Sequence, residues 1–267
     1  MMNEVATFSL PKIGEAEKNI QDRLACNAEK GLAAIADGAG SSLYPGQWAE
    51  ILVQAFCQDR GNPIDKVRKS PGRWLKPLQE EWRQYYLEKL RSPNRKWWQG
   101  GSSLKDRGSS TFLGLKLQHR ENSSPNNWQA VAVGDSCLFK LEQETQQLIS
   151  FPLQNSEDFK SVTPCFQSLP ESASSRPHFQ AGTYETGDRF LLSTDALSQW
   201  LLQDYENQGS DWKAVFELQT QADFVKFVRQ LRKNKQIKND DTTAILILTA
   251  PRELEVQNSE GGKDEEL

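Results

Sequence analysis

Histidine is nearly missing from this chain: His119 and His178 are the only two in 267 residues. Cysteine is scarce too, and Cys26, Cys57, Cys137 and Cys165 are far apart with no Cys-x-x-Cys pair. A zinc centre or a disulfide framework therefore has no ligands at usable spacing, and the four thiols are expected to be free and buried. Neither histidine lies near a cysteine in a reactive context, so a thiolate nucleophile is not indicated. No apolar run approaches the ~18 residues of a membrane span. The first ten residues show no basic segment leading into an apolar one. A cytoplasmic protein with no membrane partner is expected. The net charge of −4 offers no general attraction to nucleic acid.

What is present is enough apolar material for one sizeable core. Hydrophobic residues make up 37% of the chain, and single domains of about 250 residues are routine. One domain is expected over residues 1–250, with the acidic, glycine-containing stretch 251–267 as a disordered tail. Gln47 to Cys57 places Trp48, Leu52, Ala55 and Phe56 on one helical face. Residues 60–107 carry thirteen Lys and Arg against five Asp and Glu. Within them Trp74, Leu75, Leu78, Trp82, Tyr85 and Tyr86 predict an amphipathic helix from about Arg73 to Arg91. Its aromatics are expected to pack inward and its charges to form a solvated basic surface. Trp97-Trp98 follow, and aromatics among basic residues can bind single-stranded nucleic acid; no binding module surrounds them here.

The informative pattern lies where apolar runs stop. Leu32 to Ala36 reads as a buried strand ending in Asp37-Gly38. Strand-like runs at Ser110–Leu117 and Trp128–Val133 lead to Gly134-Asp135-Ser136. Phe190 to Ser193 ends in Thr194-Asp195, ahead of a helix from Ala196, and Asp240-Asp241 precedes Ala244 to Leu248. Asp37 alone would be an ordinary Asp-Gly turn, and Asp195 alone a helix cap. Four acids at strand ends are another matter, because a buried carboxylate needs a cation. Without His or Cys nearby, oxygen ligands point to Mg²⁺ or Mn²⁺. From Glu142 to Thr186 the chain is polar and proline-punctuated and predicts a long surface connection; residues 211–235 predict a helix.

In order and content these segments resemble the metal-dependent type 2C (PPM) protein phosphatases, especially their short bacterial members. The resemblance is carried by Gln21-Asp22, Ala36-Asp37-Gly38-Ala39-Gly40, Gly108-Ser109-Ser110-Thr111, Gly134-Asp135-Ser136, Gly187-Asp188 with Thr194-Asp195-Ala196, and Asp240-Asp241-Thr242-Thr243. It implies an α+β fold: a four-layer α-β-β-α sandwich of two mainly antiparallel sheets flanked by helices.

The same resemblance implies a site with two Mn²⁺ or Mg²⁺ ions, and three in some relatives. Asp37 would bridge the pair and the Gly38 carbonyl would bind one ion. Asp195 and Asp240 would hold the other, and Asp22 would support the cluster through water. Asp135, with Asp195, would hold the third, looser ion, and Lys18 would contact the substrate phosphate. The implied reaction is in-line hydrolysis of phosphoserine or phosphothreonine by water activated between the metals, with no protein nucleophile. The implied partners are a phosphorylated protein and a Ser/Thr kinase, and the protein is expected to be a monomer. Four features depart from the family: Gln21 for a glutamate, Ala39 for a histidine, Cys137 for an arginine, and no flap motif in 142–186. The competing expectation is a pseudophosphatase that binds a phosphoprotein or another partner through the basic insert 60–107.

Overall fold

The computed structural model describes residues 4–40, 42–91, 107–119, 125–170 and 175–249. Trp97, Trp98 and the acidic tail 251–267 lie outside them.

Two five-stranded antiparallel sheets form the body. One contains β1 (Glu4–Leu10), β7 (Cys137–Leu141), β8 (Leu148–Phe151), β11 (Arg189–Ser193) and β12 (Thr242–Leu248), in the order β1-β12-β11-β7-β8. The other contains β2 (Arg23–Asn27), β3 (Leu32–Ala36), β5 (Phe112–Gln118), β6 (Asn126–Val133) and β10 (His178–Tyr184), in the order β10-β6-β5-β3-β2. The two-residue strands β4 (Ser109–Ser110) and β9 (Phe166–Gln167) pair beside them.

The layers follow from the period of two along a strand. In β3, Ala33 and Ile35 face Phe190, Leu192, Ile245 and Ile247 of the other sheet. Their neighbours Leu32, Ala34 and Ala36 face outward onto the helices α1 (Pro45–Gln58), α2 (Pro63–Lys69) and α3 (Pro71–Arg91). In β12, Ile245 and Ile247 point into the sandwich. Ala244 and Leu246 meet α4 (Asp195–Glu206) and α5 (Gln221–Lys233). A strand covered on both faces must be apolar at every position, which explains the unbroken runs in the sequence. The four-layer α-β-β-α expectation is met.

Three expectations need correction. The stretch 211–235 is not one helix: a 3-10 segment, Asp211–Glu217, stops before α5, whose N-terminus is capped by the Thr220 side chain. The connection 142–186 is not a plain surface loop, because it supplies the edge strands β8 and β10. Their outer faces are solvated, so they lack the apolar density that marks an inner strand. Finally, Cys26 is exposed, although Cys57, Cys137 and Cys165 are buried; all four are free. The expected aromatic face of α3 is borne out at Trp74 and Trp82, both buried.

Gly114 in β5 shows how tightly the outer layer packs. A Cβ there would stand 2.6 Å from the Phe56 ring of α1. Gly114→Ala is expected to destabilise the protein by about 1–3 kcal/mol through overpacking. Phe56→Leu in the same chain should recover part of the loss. Thermal melts of the two single variants and the double variant read this coupling.

At the sandwich end where β11 begins, a buried Lys140 ammonium lies 2.9 Å from Asp188 and 3.0 Å from Glu142. Asp188 also accepts the backbone N–H groups of Gln143 and Glu185. Lys140, Asp188 and Glu142 are thus each paired.

Candidate active site

The opposite end is different, and strand register puts the acids there. Arg23 pairs with Ala36, so Asp22 and Asp37 are adjacent at the ends of β2 and β3. Phe112 pairs with Val133, which brings the Gly134–Ser136 turn beside Thr111. Ser193 pairs with Cys137 on one side and Ala244 on the other, so Asp195 and Asp240 emerge at the same rim as Asp135. A slip of one residue in any pairing would turn its acid to the other face.

The backbone of Asp37 is clamped from the β4–β5 junction. Its N–H donates to Thr111 Oγ1 at 3.0 Å, and its carbonyl accepts from Thr111 N at 2.9 Å and from Ser110 Oγ at 2.8 Å. Thr111 Oγ1 also pairs with Ser136 Oγ at 2.8 Å, which ties the Asp37 turn to the Asp135 turn. Gly38 forms a bridge to Ser110. A Cβ on Gly38 would come within 2.7 Å of the Pro45 backbone and 2.9 Å of the Gln21 carbonyl. Only glycine fits under the start of α1. Gly134 has φ of +103°, and a Cβ there would strike Thr111 and the Pro164 carbonyl.

Asp22 is 3% exposed. Its Oδ2 accepts from Thr194 Oγ1 at 3.0 Å, and Thr194 Oγ1 itself accepts from Thr243 N at 3.1 Å. Its Oδ1 is buried and has no hydrogen-bond partner among the described residues. Thr194 holds the cap position of α4 but bonds Asp22 instead of the helix. Asp195 is thus the first residue of α4, with Oδ1 2.6 Å from Ala196 N. Asp135 accepts from Thr163 Oγ1 at 2.8 Å, a contact supplied by the connection 142–186.

The neighbouring acids of the Asp240-Asp241 pair divide their work. Asp241 is buried, and its two oxygens accept the backbone N–H groups of Lys12 at 3.0 Å and Gln21 at 2.8 Å. It ties the loop leading to Asp22 onto the start of β12. Asp240 is exposed at the rim, and its carbonyl accepts from Arg232 Nη2 at 2.5 Å. Arg232 also reaches the Pro11 carbonyl at 2.7 Å. Arg23, behind Asp22, donates to the carbonyls of Ile20 and Asp22.

These carboxylates repel one another. Burial, and then the charges of Asp22, Asp195, Asp135 and Asp240, hold the Asp37 carboxyl well above the usual range. Burial and then Asp241 push Asp22 up to about 7, and burial and then Asp135 push Asp195 up to about 6. Burial also raises Asp135. The basic group acting on Asp135 and Asp195 is Lys238, whose Nζ lies 3.6 Å from Asp195 Oδ2. Lys18 is exposed on the 3-10 turn Glu17–Asn19 and is not among the principal charges acting on these four acids.

The structure therefore brings together Asp22, Asp37, Asp135, Asp195 and Asp240. Among the described residues no three acidic, histidine or cysteine side chains stand close enough to enclose an ion by themselves. The donors nevertheless suit hard cations. All are oxygens, one buried oxygen has no partner, and the mutual repulsion is of the kind that divalent ions relieve. Sequence reasoning missed the structural part of Asp241, the Arg232 and Arg23 clamps, and Lys238. Lys238 lies two residues before Asp240 at the end of a basic, polar run, which carried no mark of this role.

The chain is thus a sandwich of two antiparallel sheets with strand-end acids gathered at one rim. The family model for protein phosphatase 2C matches residues 15–244, and the chain belongs to that family. No curated protein sequence matches the chain. Among solved structures it is similar to PppA, a regulatory component of the type VI secretion system in Pseudomonas aeruginosa. The identity is 19%, over 92% of this chain and 98% of that one, with a TM-score of 0.57. It is also similar to the serine/threonine phosphatase PstP/Ppp of Mycobacterium tuberculosis, at 15% identity, 93% and 99% coverage and a TM-score of 0.59. The catalytic domain of PstP in complex with two manganese ions matches at 14% identity, 93% and 98% coverage and a TM-score of 0.59. At these identities the likeness establishes the fold. Among the described residues no helix is long and apolar enough to cross a membrane.

Proposed function

We propose that this chain is a Mn²⁺- or Mg²⁺-dependent phosphoserine/phosphothreonine protein phosphatase. One observation carries the reading: strand register brings Asp37 to the same rim as Asp22, Asp135, Asp195 and Asp240, and the neighbouring charges that act most strongly on it are all acidic. Such an arrangement destabilises the fold unless cations enter it. Asp37 and the Gly38 carbonyl would hold one ion, and Asp37, Asp195 and Asp240 the other. Asp22 would reach the cluster through water, and Asp135 with Asp195 would take a third, looser ion. When bound, such ions supply a water of lowered pKa and offset negative charge on a phosphoryl group.

The chain's own contribution is placement. Ser110 and Thr111 fix the Asp37 backbone, Thr194 orients Asp22, and Thr163 orients Asp135. With Ala39 where some relatives have histidine, leaving-group protonation falls to water. A protein substrate suits the rim, where Ile13 is 68% exposed and Val162 85% exposed. Ile13 is bonded to Asn239, and Val162 precedes Thr163, so these apolar side chains stand on loops that hold the site. The protein substrate implies a Ser/Thr kinase that phosphorylates it. The domain would span residues 1–250.

Purified protein loaded with Mn²⁺ is expected to hydrolyse p-nitrophenyl phosphate and a phosphothreonine peptide, and EDTA is expected to abolish both activities. Folded, Mn²⁺-loaded protein that is inert toward both substrates would make the chain a pseudophosphatase that binds a phosphoprotein.

A further inference from the structure

We propose that Lys238 is the residue with which this chain grips the phosphoryl group of its substrate. The inference rests on the phosphatase reading above and assigns the phosphate contact within it. The resemblance to the family suggested Lys18 for that contact. Lys18, however, is exposed on its 3-10 turn and is not a principal charge on Asp22, Asp37, Asp135 or Asp195. Lys238 is, on both Asp135 and Asp195.

The backbone around Lys238 is anchored on both sides. Ile237 is buried in the apolar cluster beneath α4 and α5. Asn239 Oδ1 accepts from Ile13 N at 2.8 Å, and Asp241 holds Lys12 N and Gln21 N. Between these anchors the Lys238 side chain remains 53% exposed. A fixed Cα with a free head places one positive charge at the mouth of an acidic site and leaves it able to move. Its Nζ lies 3.6 Å from Asp195 Oδ2, well beyond the roughly 2.7–2.9 Å of a charge-assisted hydrogen bond. Among the described residues, Asp195 attracts this lysine by charge, with no hydrogen bond to its Nζ.

That pairing changes once cations engage the acids. Neutralised by metal, Asp195 no longer attracts the ammonium, whereas an incoming phosphate monoester brings up to two negative charges and several acceptor oxygens. A lysine is suited to this exchange, because its compact charge and three rotatable donors need no fixed docking plane.

The test uses the Mn²⁺-loaded full chain as wild type, Lys238→Ala, Lys238→Arg and Lys18→Ala. Calorimetric titration with inorganic phosphate is read beside kcat and KM on a phosphothreonine peptide and beside Mn²⁺ affinity. Lys238→Ala is expected to weaken phosphate binding and raise KM by about tenfold, the loss of one charge-assisted contact, with kcat little changed. Lys238→Arg should keep most of the binding, and Lys18→Ala all of it. Unchanged phosphate affinity in Lys238→Ala, with tighter Mn²⁺ binding, would reduce Lys238 to a counter-ion of Asp195 and overturn the proposal. Loss of phosphate binding in Lys18→Ala alone would do the same, as would Mn²⁺-loaded wild type that takes up no phosphate. Wild type that binds phosphate yet hydrolyses nothing would sink the phosphatase reading, while the titration would still judge Lys238.

Discussion

Asp37→Asn is expected to lower Mn²⁺-dependent hydrolysis by about 10³-fold or more while leaving the protein folded. The side chains are of equal size, and the bonds that set the turn run to the Asp37 backbone from Thr111 and Ser110. They survive the change. What is lost is the charge at the centre of the acids, and with it most of the thermal stabilisation by Mn²⁺. Asp240→Asn should behave in the same way, because the residue is exposed at the rim and an amide oxygen can still accept the Asp241 N–H. Asp241→Asn provides the contrast: it alters the buried acceptor of two backbone N–H groups, so its defect should appear in the melting temperature of the metal-free protein. Activity on p-nitrophenyl phosphate, read beside circular-dichroism melts, separates the two patterns. An Asp37→Asn enzyme that retains Mn²⁺-dependent turnover would remove this residue from the site.

The second large effect is a pH-dependent stability of metal-free protein with an unusual direction. Asp22 is pushed up to about 7 and Asp195 to about 6, both from 3.8. Below about pH 4 both groups are protonated whether the chain is folded or not, and folding carries no charge penalty. Between pH 4 and 7 the unfolded chain has released these protons while the folded chain still holds them. Stability therefore falls as pH rises through this window and levels off above it. A shift of about three units corresponds to roughly 4 kcal/mol for Asp22 taken alone. For a chain of this size that is a fall in melting temperature on the order of 10 °C. Asp22→Asn should be more stable than wild type at pH 7.5 without metal and equal to it near pH 4. With Mn²⁺ the order should reverse, since wild type gains more from the ion. A metal-free melting temperature that rises steadily from pH 4 to 7.5 would contradict the assigned repulsion.

Most of the architecture was readable because its inner strands are covered on both faces. Leu32–Ala36, Phe190–Leu192 and Ala244–Leu248 had to be apolar throughout, and an acid close to the end of such a run stands out. The edge strands β8 and β10 escaped notice because a solvated face erases that contrast. The acids themselves were legible, and five of them do converge. Their division of labour was not. Asp240 and Asp241 are chemically identical neighbours, and only the position of the Lys12 and Gln21 amides decides which one has both carboxylate oxygens tied to the loop before Asp22, while Asp240, among the described residues, accepts the N–H of Asp241 alone. Lys238 escaped for a similar reason. A lysine in a polar, basic run carries no local mark, and its significance comes from the fold bringing α4 beside the loop after α5. Gly38 was expected for a close carbonyl approach, and the structure adds a packing reason, the Pro45 backbone lying directly against it.

The two ends of the sandwich are built on opposite electrostatic plans. At one, the Lys140 ammonium meets Asp188 and Glu142 in a closed set; at the other, like charges are held together by the strands that carry them. The same β11 and β12 run between the two, so the sheet works as a lever arm with one end fastened and one end under load. Any loading and unloading of ions would thereby be confined to a few residues at the strand tips, and the body could stay folded while that end tightens or loosens.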